Sequence, residues 1–314
     1  MTARRSALIG MLLTVGLLWQ ALPAFAVGVP TPVADDPKVD AVSPAPTANH
    51  VAWLTNTASA QGTYNVVFAD RGSATTHRVN AIGTQGSHPR ALFGTETIVY
   101  QQYTRSSSDI FLYNMDTGRR TKLPGKVNTR AWEYWPAAST KYVLFMRNTT
   151  ERQLLLFNRK TGSLKKLASA PLRCDWCLGP DWVGQQHAVY TVCSRSNYAC
   201  NVKVLTIGGG TQTVPGQKNP YSRFGAAMDE ARGDVYYVSS NTWCGLYVEI
   251  DRWNISGATA PVVIADLAEG FDGNTVGIAD SPTVPGDVDL FYSDWECLKN
   301  DADLLEIESA NTIT

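Results

Sequence analysis

The 314-residue chain has a formal net charge of −1, is 44% hydrophobic and 18% charged, and contains only 4 histidines. This balance argues against nucleic acid as a partner, and so few histidines are a thin supply for metal or acid–base catalysis. The length suits two ordinary domains or one large repeat fold, so periodicity has to decide.

In chain order, residues 1–26 read as a signal peptide: Arg4 and Arg5 precede an apolar run from Ala7 to Leu22, and Ala24-Phe25-Ala26 is a small-x-small cleavage site. Gln20 and Pro23 disfavour an uncleaved anchor, so no membrane span is expected once the signal is removed. The expected product is a secreted or extracytoplasmic chain that starts near Val27. Residues 27–48 carry Pro30, Pro32, Pro37, Pro44 and Pro46 and read as a Pro-rich linker or a ring-closing segment, with Val39 to Val42 as the closing piece.

From residue 49 onward two anchors recur. An aromatic residue ends a strand at Trp53, Tyr100, Phe145, Tyr190, Tyr236 and Phe291, in steps of 47, 45, 45, 46 and 55. A turn glycine follows at Gly72, Gly118, Gly162, Gly208 and Gly257, in steps of 46, 44, 46 and 49. Such a period, built only from strands, predicts an all-β fold over residues 49–314: a six-bladed β-propeller of four-stranded antiparallel blades. In the second blade the predicted strands are an inner one near Arg90 to Phe93, then "ETIVYQQ", "DIFLYN" and "RTKL". Nearly unbroken apolar runs rich in β-branched and aromatic residues favour strands covered on both faces.

The segment "SSSDIFLYNMDTGRRTKL" resembles the WD40-like repeat of TolB-type β-propellers, in which a polar loop leads to an Asp-Ile-aromatic strand, a Thr-Gly or Asp-Gly turn and a closing leucine. "KNDADLLEIES" is a weaker copy, and the resemblance spans nearly all of residues 48 to 314. The family's Trp-Ser-Pro-Asp-Gly turn is degraded here to "YWPAASTK", "LFGTET" and "DWVGQQ". What the resemblance implies is an interaction scaffold of the cell envelope or the extracellular space.

Six cysteines in an exported chain favour disulfides. Cys193 and Cys200 flank a short hairpin loop, Cys244 and Cys297 lie in the corresponding loops of the next two blades, and Cys174 and Cys177 remain. A redox or zinc reading of that Cys-x-x-Cys lacks a second Cys-x-x-Cys and a βαβ setting. Sequence leaves the pairing open.

The other motifs are weaker. His50 and His187 are 137 residues apart, at equivalent places in opposite blades, and each reads as the start of a strand, whereas His77 and His88 flank one connection that brings them within reach of each other. "IGGGT" is explained by a hairpin turn, and no Gly-x-Ser-x-Gly elbow or calcium loop is present. From Ala265 onward 12 acids face one base, while Arg119 to Arg173 holds 13 bases and 2 acids. The acidic side reads as a solvated face, with Asp294, Glu296, Asp301 and Asp303 as the candidates for a Ca²⁺ site. A carboxylate pair for glycoside hydrolysis is the weaker alternative.

Topology supplies the stronger site. Connections into the inner strands of a propeller gather at one mouth of the central channel. Here they hold His88 and Arg90; Arg130, Trp132 and Tyr134; Arg173 and Trp176; Tyr221, Arg223 and Phe224; and Asp272. Arginine with aromatic residues is the composition of interaction hot spots. The reading is therefore non-catalytic capture of an extracellular or envelope protein or peptide, or a glycan. Its alternatives are a polysaccharide hydrolase or lyase and an assembly held together by opposite charges.

Overall fold

The computed structural model describes residues 31–34, 39–57, 64–103, 107–174, 177–196, 199–215, 225–240, 248–257, 260–267, 276–281, 287–296 and 301–307. These are all-β, with no helix among them and therefore none long and apolar enough to cross a membrane. After β1 (Thr31–Ala34), an antiparallel sheet is formed by β2 (Val39–Pro46), β3 (His50–Thr57), β4 (Tyr64–Asp70) and β5 (His77–Arg78) in that order. The same order recurs in β6 (Gln85–Ala91), β7 (Thr97–Tyr103), β8 (Ser108–Asn114) and β9 (Arg120–Lys122), and in β10 (Trp132–Ala138), β11 (Tyr142–Asn148), β12 (Arg152–Asn158) and β13 (Leu164–Ala170). One parallel bridge, Trp132 to Ser108, joins these last two sets into a single sheet. Next come β14 (Leu178–Val183), β15 (His187–Cys193), β16 (Cys200–Thr206) and β17 (Thr211–Thr213), and then β18 (Ala227–Asp229), β19 (Asp234–Ser240), β20 (Val248–Asn254) and β21 (Val262–Leu267). The last sheet holds β22 (Val276–Asp280), β23 (Val288–Glu296) and β24 (Asp301–Ile307), with β1 on its far edge.

The repeat anchors do the structural work their spacing suggested. Trp53, Tyr100, Phe145, Tyr190, Tyr236 and Phe291 are all buried on second strands. Burying an aromatic or aliphatic side chain of this size stabilises by roughly 1.5–3 kcal/mol, so each anchor is a substantial fraction of a sheet's packing. The turn glycines at 72, 118, 162, 208 and 257 have φ of 78°, 65°, 69°, 90° and 81°, a region that glycine enters without steric cost. Apolar clusters bridge successive sheets, and Val51, Trp53 and Ala69 of the first sheet pack with Ala279 and Phe291 of the last.

Three expectations change. Val39–Pro46 is the first strand of the first sheet, not a linker, and the piece that completes the last sheet is Thr31–Ala34, with Thr31 opposite Glu306 and Pro32 opposite Leu305. The inner strand expected near Arg90 to Phe93 spans Gln85–Ala91. The cause is common to both segments: an innermost strand has one free edge, where proline removes no ladder bond, so proline there does not signal a loop. Cys174 pairs with Cys177 and Cys193 with Cys200, the latter directly opposite each other at the end of the β15–β16 hairpin with Cα atoms 3.8 Å apart. Two disulfides are compatible with an extracytoplasmic location. Cys244, Cys297 and the segment read as a signal peptide lie outside the described residues.

Candidate functional site

Pro44, Pro89, Pro136 and Pro180 stand in β2, β6, β10 and β14 at steps of 45, 47 and 44. Each accompanies a register break against the second strand, between Val42 and Ala45, Ser87 and Arg90, Tyr134 and Ala137, and Pro180 and Trp182. In three of them the residue before proline has positive φ: 59° at Ser43, 48° at His88 and 53° at Trp135. Bulges of this kind re-aim the neighbouring side chains, and left-handed backbone at non-glycine residues is held only where its surroundings enforce it.

The bulged segments converge. Residues of β2, β6, β10, β14, β18 and β22 line one small cavity of about 20 Å³, room for little more than a water molecule. Its walls are mostly alanine, proline and aliphatic side chains, and Arg90 and Asp181 are the charged residues among them. Asp181 is 3% exposed, and its two oxygens accept from the Thr191 hydroxyl at 2.7 Å and the Gly225 N–H at 2.8 Å. Burial pushes its carboxyl up to about 7, against the pull of those bonds and of the Arg90 charge. Arg90 donates one long bond, 3.4 Å, to the Pro89 carbonyl, and desolvation lowers its pKa while Asp181 opposes that. His88 lies 5.5 Å from the Trp135 ring, and its Nδ1 shares a short bond with the Ser87 hydroxyl. Burial first, and the Arg90 charge second, push His88 down to about 3, so its imidazole is neutral near pH 7.

The expected mouth residues do not stay together. Arg130 and Arg173 are exposed, and Trp132 is 46% and Leu172 41% exposed, all at the end where β10 begins and β13 finishes. Both disulfides lie at that same end. Tyr134 is instead buried: its hydroxyl donates to Asn148 Oδ1 at 2.7 Å and accepts from Arg152 Nη1 at 2.7 Å, so it packs inside the sheet rather than displaying a ring. Arg90 belongs to the wall of the cavity, near the end of β6, which starts at Gln85, and His88 stands two residues earlier on that strand, against Trp135. Trp176, Tyr221, Arg223, Phe224 and Asp272 lie outside the described residues.

His77 and His88 are not brought together, for His77 packs on Phe68 at 5.1 Å while His88 faces Trp135. His50 and His187 do begin β3 and β15. The four Ca²⁺ candidates are opposed in register, Asp294 with Asp303 and Glu296 with Asp301, but their side chains lie outside what is described. No group of metal-holding geometry occurs among the described residues. Asp181 had not been singled out from sequence; the signal for it was the proline series, whose fourth member is followed directly by an acid in "GPDWV".

No family profile and no curated protein matches the sequence. Among solved structures, TolB from Acinetobacter baumannii superimposes with a TM-score of 0.54 at 13% identity over 83% of this chain and 64% of that one. At the level of the fold, the chain resembles TolB. Pyrococcus horikoshii acylaminoacyl peptidase is likewise similar, with a TM-score of 0.50 at 11% identity over 88% of this chain and 54% of the peptidase. The chain thus spans less than two thirds of the TolB and peptidase chains. The TolB-like fold is therefore a statement about architecture, and function has to be argued from the cavity and its rim.

Proposed function

We propose that this is an exported six-bladed β-propeller, closed by β1 on β24, that captures an extended segment of an extracellular or envelope protein or peptide at the mouth marked by Arg130, Trp132 and Arg173. Catalysis is not part of this reading. The observation that carries it is the axial cavity, to which every innermost strand contributes, below a rim of exposed arginine and tryptophan. A concave site with a few polar groups in apolar walls is the usual form of a binding pocket, and Trp and Arg supply contact energy at low entropic cost. The disulfide-tied loops at the same end favour a pre-ordered rim, which lowers the ordering penalty of association.

The test compares capture from envelope extract by the parent and by a variant carrying Arg130→Ala, Arg173→Ala and Arg223→Ala. Retention should fall at least tenfold for the same captured protein, with the unfolding midpoint unchanged, as expected for loss of hot-spot residues. Equal retention contradicts the assignment of the mouth. A glycan array run on the same two proteins distinguishes a sugar ligand from a peptide.

One observation favours the enzymatic alternative, a polysaccharide hydrolase or lyase: a carboxyl that titrates near neutrality inside the cavity. Its oxygens are already committed to Thr191 and Gly225, an arrangement that suits a fixed structural acid better than a proton carrier. Release of sugar fragments from extracellular polysaccharide, abolished by Asp181→Asn, would establish the enzyme instead.

A further inference from the structure

Three arginines stand free at the end of the sheets where the disulfides lie. Arg130, Arg173 and Arg195 are exposed, and none of them takes part in a hydrogen bond or an ion pair among the described residues. The acids described at this end of the second, third and fourth sheets each hold a cation already: Asp109 meets Lys122 at 2.7 Å, Glu133 meets Arg147 at 2.9 Å and Glu151 meets Lys166 at 2.8 Å. The three arginine charges are therefore uncompensated. Two of them are also fixed relative to each other. Arg173 directly precedes Cys174 and Arg195 follows Cys193 by two residues, and the Cys193 N–H donates to the Cys177 carbonyl at 2.9 Å, which ties the Cys174–Cys177 bridge to the Cys193–Cys200 bridge.

An apolar step lies among these charges. Trp132, Asn148, Arg152 and Ala170 stand opposite one another across β10, β11, β12 and β13, the last paired row of the third sheet at this end. The guanidinium of Arg152 donates to the Tyr134 hydroxyl at 2.7 Å and to the Leu172 carbonyl at 2.9 Å, so Leu172, beyond the outermost strand, is drawn back across the sheet toward β10. Trp132 and Tyr134 share one face of β10, and Tyr134 packs with Leu178 and Tyr190 of the fourth sheet. The rings of Trp132, 46% exposed, and the side chain of Leu172, 41% exposed, thus sit at the seam between the third and fourth sheets. Arg130 precedes the first, Arg173 follows the second, and Arg195 stands on the hairpin across the seam.

We infer that this seam docks an acidic stretch of peptide in which an apolar residue is flanked by carboxylates, an inference that rests on the peptide-capture reading above and adds Arg195 to it. Each free guanidinium presents a planar fork of donors that matches a carboxylate. Uncompensated positive charge steers an anionic segment inward and rejects a basic one. Trp132 and Leu172 take up the apolar side chain between the acids. An anionic polysaccharide brings the carboxylates and no aliphatic side chain, which leaves Leu172 unused, so the composition of the seam favours the peptide. All three arginines are exposed, and binding through them weakens as salt screens the charges.

The test follows the fluorescence anisotropy of a labelled synthetic peptide, Gly-Asp-Glu-Leu-Asp-Glu-Gly, titrated with the purified chain, against its uncharged twin Gly-Asn-Gln-Leu-Asn-Gln-Gly. Saturable binding is expected, at least tenfold weaker for the twin, several-fold weaker in Arg195→Ala and in Trp132→Ala, and falling as salt is raised. A variant with Arg119→Ala and Lys160→Ala, which removes exposed cations from strand turns at the opposite end, should bind as the parent does. Equal binding by the twin, no loss in Arg195→Ala, or an equal loss in the Arg119→Ala, Lys160→Ala variant overturns the inference. A uronic acid oligosaccharide of the same charge that binds the parent as tightly as the peptide also overturns it, since the ligand is then an anionic sugar. If the acidic peptide does not bind saturably, the inference fails, and capture from extract that still requires Arg130, Arg173 and Arg223 leaves the mouth reading standing without it. If peptide binding depends on Arg195 while capture survives those three substitutions, the acidic site stands and the mouth reading fails on its own.

Discussion

Asp181 is buried in the cavity wall and His88 is half-buried on β6, and they load the folding equilibrium in opposite directions. The folded pKa of His88 lies at about 3, below its ordinary 6.5, so its contribution is fully present above 6.5 and is lost as pH falls toward 3. The folded pKa of Asp181 lies at about 7, above its ordinary 3.8, so its contribution is fully present below 3.8 and is lost as pH rises to 7. Between about 4 and 6.5 the two slopes oppose each other. Relative to the parent, His88→Gln should therefore make the denaturation midpoint fall more steeply from pH 4 to 7, and Asp181→Asn should make it rise more steeply over the lower part of that range. Chemical denaturation at several pH values reads both, and parallel profiles for the two variants contradict the assignment. Glu133 gives a second single-residue expectation. Its side chain is fully buried, with Oε1 accepting from Arg147 Nε at 2.9 Å and from the Thr129 hydroxyl at 2.5 Å. Glu133→Ala leaves the Arg147 guanidinium without its carboxylate, and a loss of about 3 kcal/mol in unfolding free energy is expected.

Strand turns at the end opposite the mouth carry the contacts between neighbouring sheets. His50 of β3 meets Glu96 at 2.8 Å, and His187 of β15 meets Glu230 at 3.1 Å, the same device at equivalent places in the repeat. Glu230 also accepts the N–H groups of Gln185, Gln186 and His187, each at 2.7 Å, so Glu230→Ala should cost about 2 kcal/mol through lost charge-assisted bonds. Gly277 in β22 shows how closely the last sheet meets the first: a Cβ there would be 2.5 Å from Pro46 Cδ and 2.9 Å from the Pro44 carbonyl. Gly277→Ala should destabilise by about 1–3 kcal/mol, while Gly210→Ala, with open space around it, should not; thermal unfolding of the two variants checks this. These elements also show what the sequence revealed. Second strands and turn glycines were legible because burial on both faces and positive φ each demand a particular residue type. Innermost strands were not, since "SPAP" and "SHPRA" at a free edge obey the rules of a loop.

For the molecule as a whole, the two ends of the sheets differ in chemistry: histidine–glutamate contacts between neighbouring sheets at one, exposed Arg130, Trp132, Leu172 and Arg173 with both disulfides at the other. The exposure of Arg130 and Arg173 could be read from the repeat, because both stand in connections between strands. The Arg90 and Asp181 pair could not, because their proximity depends on how β6 and β14 converge on an axis that no local pattern encodes. Every position assigned to rim and cavity depends on the first and last sheets meeting through β1. The most direct measurement replaces Thr31 and Glu306, paired in register across β1 and β24, with cysteine and seeks the linked peptide by mass spectrometry after oxidation. Closure predicts near-complete Thr31→Cys to Glu306→Cys bridging in the folded chain, whereas two free thiols at those positions would contradict the ring and with it the binding mouth.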